Sequence, residues 1–234
     1  TASRVGTGNI VGVSTAICLG GFGAVFWMWV VALVGGASAF IESALAQVYK
    51  KRDADGSSYG GPSYYMEQAL HQRWLGVVFA VVLILTYVVG FNMLAAYNLQ
   101  DAFGGFSFYV KGRTPYIIGA ILAVLFALCV LGGGKRLTNV TGVLVPVMGL
   151  LYIVMSLVVV FMNIKIFPSV IANIFRDAFN FKAAFSGFTG SCIMWGIKRG
   201  LYSNEAGMGS APNAAATADV SHPAKQGLVQ MLSV

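Results

Sequence analysis

Charge is scarce in this 234-residue chain. Asp, Glu, Lys and Arg together make up 10 %, where a soluble domain carries about 25 %. That scarcity excludes an ordinary water-soluble globule and points to helices immersed in lipid. Histidine is scarcer still: His71 and His222 stand alone, so the sequence offers no histidine metal site. The three cysteines, Cys18, Cys129 and Cys192, lie in apolar surroundings with no paired spacing. They read as small packing residues rather than as disulfides or ligands. With no nucleophile–base pair in view, the sequence does not read as an enzyme. There is no signal-peptide pattern and no short repeat of the solenoid kind. The sequence opens without Met, inside TASRVGTGN, and stops inside the apolar run LVQMLSV. A fragment of a longer protein is therefore expected, a single transmembrane domain over residues 1–234.

What the chain has in abundance is apolar sequence: 57 % hydrophobic residues and a mean hydropathy of +0.76. Apolar segments occur at 1–19, 22–49, 74–100, 115–133, 139–163 and 183–197, with another opening near 226. A helix needs roughly 20 apolar residues to cross the hydrocarbon core. Spans 22–49, 74–100, 115–133 and 139–163 meet that requirement. The formal charge of +7 does not signal nucleic-acid binding, because Lys and Arg lie in short connectors, where they encode topology. Lys50, Lys51, Arg52, Arg73, Lys135, Arg136, Lys198, Arg199 and Lys225 fall on one side if the spans alternate. Lys111, Arg113, Lys165, Arg176 and Lys182 fall on the other. Nine against five puts the 50–73 and 134–138 loops in the cytoplasm. In the first of these, GGPSYYMEQAL follows a charged turn and reads as an interfacial helix.

The first and sixth segments differ from the rest. RVGTGNIVGV, residues 4–13, gathers Gly6, Gly8 and Gly12 around Thr7 and Asn9. Each glycine costs a helix interior about 1 kcal/mol relative to Ala. Close helix packing explains the glycines. It does not call for Thr7 and Asn9, which fit an unwound turn whose freed backbone groups need partners. A phosphate loop is excluded, since no Lys-Ser/Thr follows and no strand precedes. Residues 187–220, GFTGSCIMWGIKRGLYSNEAGMGSAPNAAATADV, read as breaking at Thr189-Gly190-Ser191 and turning at Lys198-Arg199-Gly200. Ser203 then reads as the cap of a new helix with Glu205 in its first turn. Two discontinuous helices point to a mid-membrane substrate site. Glu42, inside the second span, fits either a structural ion pair or a proton relay. Asn92 and Asn98, in the third span, fit either a cavity lining or interhelical hydrogen bonds.

RVGTGNIVGVSTAI, GAVFWMWVVALVG, YGGPSYYMEQAL and GLYSNEAGMGSAPNAAATADVSHPAKQGLVQML together resemble the alanine/glycine:cation symporter family, of the amino acid–polyamine–organocation superfamily. The resemblance covers nearly the whole chain. It implies an all-α, polytopic fold of the leucine-transporter type, with inverted repeats and discontinuous first and sixth core helices. Part of the first helix, helices two to six and the start of the seventh would be present; the eighth would be absent. The implied function is symport of a small neutral amino acid, alanine or glycine, with Na⁺ as coupling ion, across the plasma (inner) membrane. Alternatives of the same fold are H⁺ coupling, a larger neutral amino acid, or sensing without transport. A channel would need continuous polar rings instead of two polar breaks.

By the same resemblance, the backbone at Gly6, Thr7 and Gly8 receives the amino-acid carboxylate. Asn9 and the Val5 carbonyl lie beside Na⁺. Phe188, Thr189, Gly190 and Ser191 contact the substrate's amino group and side chain, with Thr189 also near the cation. Asn98 is a further substrate-side candidate. The family often reads Asn-Met-Val-Gln in its third helix, whereas this chain has Asn92-Met93-Leu94-Ala95. Ala95 cannot supply the glutamine's hydrogen bond, which leaves room for a larger substrate.

Overall fold

Apolar length decides the architecture. The computed structural model describes residues 8–180 and 190–234. Val5, Gly6, Thr7, Phe188 and Thr189 lie outside the described residues. Three described helices are long and apolar enough to cross a membrane: Gly23–Val48, Arg73–Asp101 and Arg136–Met162. Asn9–Gly20 and Thr114–Val130 are shorter apolar helices. The chain is a mostly helical, polytopic membrane protein. Almost nothing in the three long spans is buried by the chain itself, 22 %, 6 % and 0 % of each apolar window. Their side chains therefore need apolar surroundings from outside the described residues.

Two compact units divide the chain. The first takes residues up to Thr86 together with Pro168–Val234; the second takes Tyr87–Phe167. In the first, a π turn at Gly8–Gly12 leads into α1 (Val13–Gly20), followed by α2 (Gly23–Val48). A two-residue antiparallel ladder, β1 (Lys51–Arg52) with β2 (Ser58–Tyr59), pairs Lys51 with Tyr59. Then come α3 (Pro62–Leu70) and α4 (Arg73–Leu85), matching the expected interfacial helix and third span. In the second unit a π turn at Thr86–Phe91 continues into α5 (Asn92–Asp101), followed by α6 (Thr114–Val130) and α7 (Gly133–Met162). The chain returns to the first unit through α8 (Phe167–Ala178), α9 (Gly190–Asn204), α10 (Ser210–Ala216) and α11 (Pro223–Leu232).

Helix α2 is the axis of the first unit. Small residues let its neighbours approach, as expected where lipid supplies no hydrophobic drive between helices. A Cβ on Gly196 of α9 would lie 2.6 Å from Ala24 O and from Trp27 Cβ, so only glycine fits this crossing. Further along, Gly200 faces Val31, and Gly35 faces Ala206. The contacts advance together along both chains, so α9 runs parallel to α2. Phe26 of α2 packs edge-on to Phe175 of α8 and to Phe179, with ring centroids 5.7 and 4.9 Å away.

One expectation fails here. Lys198-Arg199-Gly200 is not a turn, because α9 is continuous from Gly190 to Asn204. Gly200 is where α9 presses on α2: a Cβ there would sit 3.1 Å from the Val31 side chain. Arg199 instead lies with its guanidinium 5.5 Å from the Trp195 ring. Lys198 and Arg199 therefore lie within a helix and not in a connector, as do Arg176 of α8 and Lys225 of α11.

Candidate functional site

Thr189, in the expected break, lies outside the described residues; among the described residues the chain breaks after α9. Helix α9 ends at Asn204, and α10 begins at Ser210. Between them Glu205, Gly207 and Gly209 all take left-handed backbone, with φ of 49°, 83° and 81°. Glu205 is one of only two non-glycine residues with positive φ among the described residues. Such backbone costs on the order of 1–3 kcal/mol and collects at functional sites. Gly190 and Ser191 sit at the start of α9. Ser203 is not a cap but belongs to the last turn of α9, and Glu205 closes that helix instead of opening the next.

The depth of the break follows from its neighbours on α2. Gly35 lies against Ala206 and Asn204, and Glu42 against Gly207. Gly60, just beyond α2, lies against Ala216. The interruption therefore runs alongside the middle of the longest helix of this unit. Glu42 faces the break, with its Oε1 3.6 Å from where a Cβ on Gly207 would be.

The π turn at Gly8–Gly12 meets the break. Asn9, half-buried on this turn, accepts a hydrogen bond at Oδ1 from the Ser203 hydroxyl. One turn further, Gly12 faces the Arg199 stem. Gly20 lies against Trp195 and Cys192, so α1 runs antiparallel to α9. π turns interrupt the regular hydrogen-bond ladder and often mark functional positions. Gly8 belongs to this turn.

Polar groups fill the junction. Glu205 is 4 % exposed, and its Oε2 accepts from the Ser210 hydroxyl at 2.8 Å. Ser43 and Asn204 are buried, and neither the Ser43 Oγ nor the Asn204 Nδ2 has a hydrogen-bond partner among the described residues. Buried polar atoms are nearly always satisfied, so these two stand out in the unit. No group of three or more His, Cys, Asp or Glu gathers among the described residues.

Below the break, α10 is clasped from α2. Gln47 Nε2 donates to the carbonyls of Ala215 and Ala218 at 2.5 and 2.8 Å, and Lys50 Nζ donates to Ala218 at 3.0 Å. Tyr65 of α3 has its phenol pushed up to about 12, first by burial and then by the Glu42 carboxylate.

Asn98 lies on α5 of the second unit and is half-buried there. Asn92 Nδ2 donates to the Val88 carbonyl at 3.2 Å, the local back-bonding typical of short polar residues within a helix. Ala95 lines an apolar pocket of about 400 Å³ between α5 and α6, opposite Gly119 and Phe126.

The sequence reasoning named Asn9 but not Ser43, and it gave Ser203 and Glu205 the wrong local roles. The signal that finds the break is the alternation Glu205-Ala206-Gly207-Met208-Gly209 straight after Asn204. Two glycines separated by one residue suit a chain that takes left-handed backbone repeatedly.

The sodium:alanine symporter family model matches residues 1–234. The amino-acid carrier protein AlsT of Bacillus subtilis is 52 % identical over 233 residues, which cover 100 % of this chain and 49 % of AlsT. The probable sodium/glutamine symporter GlnT of Bacillus subtilis is 47 % identical, across 100 % of this chain and 48 % of GlnT. The sodium/alanine symporter AgcS of Methanococcus maripaludis is 43 % identical, across 98 % of this chain and 51 % of AgcS. The chain spans about half the length of the curated relatives it matches. With helix interruptions meeting beside the middle of α2, and a family match from its first residue to its last, the chain belongs to the sodium:alanine symporter family.

Proposed function

We propose that the chain is the substrate-gripping part of a secondary active symporter, of leucine-transporter-type fold, which takes up alanine or glycine with Na⁺. The observation that carries this is the hydrogen bond joining Asn9, on the Gly8–Gly12 turn, to Ser203, in the last turn of α9 just before the Glu205–Gly209 break. The C-terminal end of α9 carries partial negative charge, which favours a cation or an ammonium group. Gly6, Thr7 and Gly8 offer backbone amides to the carboxylate. Val5, Asn9 and Thr189 offer oxygens to Na⁺, with Phe188, Gly190 and Ser191 on the substrate's other side. A zwitterion and an alkali ion thus find complementary partners at helix ends, as in transporters with broken helices.

The test is uptake by the full-length protein in proteoliposomes, with a panel of labelled amino acids. Alanine or glycine should accumulate only under an inward Na⁺ gradient, and K⁺ should not replace it. Accumulation driven by a proton gradient without Na⁺, or single-channel current, overturns the reading.

A second substrate reading rests on Ala95. Alanine there leaves the space a glutamine side chain fills in much of the family, and GlnT is named for glutamine. If that space admits substrate, Ala95→Gln lowers uptake of larger neutral amino acids and spares alanine. Unchanged selectivity in that variant removes the second reading.

A further inference from the structure

Away from the Asn9–Ser203 junction, the first unit holds a polar cavity. It measures about 430 Å³ and opens between the β1–β2 ladder, α3 and the start of α4. Lys51 and Arg73 line it with Tyr59, Tyr64, Ser63 and the single carboxylate of Glu67. Lys51 Nζ stands 5.4 Å from the Tyr64 ring centroid, which holds the ammonium beside the cavity. Its other wall is the apolar side of α4, Val77 and Ala80. Gly76 seats α4 there, since a Cβ would lie 2.6 Å from Ser63 O.

The cavity straddles the boundary between water and lipid. Trp74 is 65 % exposed beside Arg73, and exposed tryptophan marks the headgroup level. Its indole N–H donates to Gln72 Oε1 at 2.8 Å. That oxygen is therefore not used to cap α4, whose N-terminus has no side-chain cap. Two cations, one anion and the open positive end of a 13-residue helix leave the site net positive. Below it, Val77 and Val78 are exposed along α4, an apolar track leading away from the charge.

We propose that this cavity binds the phosphate headgroup of an anionic phospholipid, with the acyl chains lying along Val77 and Ala80. A polar head beside a hydrocarbon track fits a lipid better than a soluble anion. Basic pockets between helices at the membrane surface take such headgroups. The proposal rests on the membrane placement of α4, and it is independent of which amino acid is carried.

The experiment uses the full-length transporter in detergent, with native mass spectrometry to count retained dioleoyl-phosphatidylglycerol against dioleoyl-phosphatidylcholine. Phosphatidylglycerol should be retained preferentially. Lys51→Ala and Arg73→Gln should each lower that retention about fivefold. Glu67→Gln should raise it, which keeps the test decisive if a loss variant fails to fold. Lys111→Ala with Arg113→Ala, on the connector after α5, should leave it unchanged. Equal retention of the two lipids overturns the proposal. So does an equal loss in the Lys111/Arg113 variant, or displacement of the lipid by millimolar inorganic phosphate, which would mark a free-phosphate site.

Discussion

Asn9 and Ser203 are 194 positions apart in the chain, yet one hydroxyl joins them. If both groups serve the proposed substrate and Na⁺ site, this hydrogen bond couples them, and a double-mutant cycle measures it. Asn9→Ala and Ser203→Ala should each raise the Na⁺ concentration for half-maximal uptake. The double variant should be no worse than the poorer single variant, with a coupling of about 0.5–3 kcal/mol. Strict additivity would mean that the two side chains act separately. Tyr65 offers a second test at this scale. Its folded pKa, about 12, lies above the usual 10. The folded state therefore keeps the phenol proton after the unfolded chain has lost it. Stability is unaffected below pH 10 and falls as pH rises from about 10 to 12. Phenolate absorbance should show one tyrosine titrating near 12, and Tyr65→Phe should remove that step. If the step survives in the variant, another tyrosine is responsible.

At the level of elements, long apolar runs were easy to read, because a lipid-facing helix must be apolar around most of its surface. The 22–49, 74–100 and 139–163 segments reappear as the long helices α2, α4–α5 and α7, whereas 115–133 gives the 17-residue α6, shorter than the expected full span. The break was harder. Lys198-Arg199-Gly200 carries the same local composition as a true interruption. Gly200 serves helix contact with Val31, and nothing local distinguishes that use from a turn. The Asn204–Gly209 run was visible as polar and small. Which of its residues would close α9 depended on Gly35 and Glu42, far away in sequence. Asn9 was legible because an amide among glycines has no packing excuse. Ser43, by contrast, is one serine in an otherwise unremarked run of small residues.

The clasp on α10 belongs to the same scale. A seven-residue helix is too short to hold itself together, so its carbonyls need outside donors. Gln47, buried, serves both Ala215 and Ala218, while Lys50 serves Ala218 alone. Gln47→Ala leaves the Ala215 carbonyl without that donor and should cost about 1–3 kcal/mol. Lys50→Ala leaves Gln47 on Ala218 and should cost well under 1 kcal/mol. Thermal unfolding of the full-length protein in detergent separates the two. Equal losses would show that the lysine and the amide share the clasp and that the amide is not dominant.

For the whole molecule, the decisive property is which face of the membrane each connector occupies. The 50–73 connector carries Lys50, Lys51, Arg52 and Arg73, and on that ground is expected on the cytoplasmic face. A 29-residue helix from Arg73 to Asp101 is about 44 Å long, more than the hydrocarbon core requires. Its two ends should then open to opposite compartments. The turn around Asp55 is a clean reporter of one side. Its carboxyl is held below the usual range by hydrogen bonds from the Ser57 side chain and backbone, so it stays charged and in water. Asp55→Cys should react with a membrane-impermeant maleimide only after the cytoplasmic face is opened. Lys111→Cys should react in intact cells. Cys192 is buried, whereas Cys18 is exposed and Cys129 half-buried, so both of these are replaced by Ser in the labelling background. Labelling of both engineered cysteines from the same side would overturn the orientation. It would also show that the Arg73–Asp101 helix does not cross the bilayer.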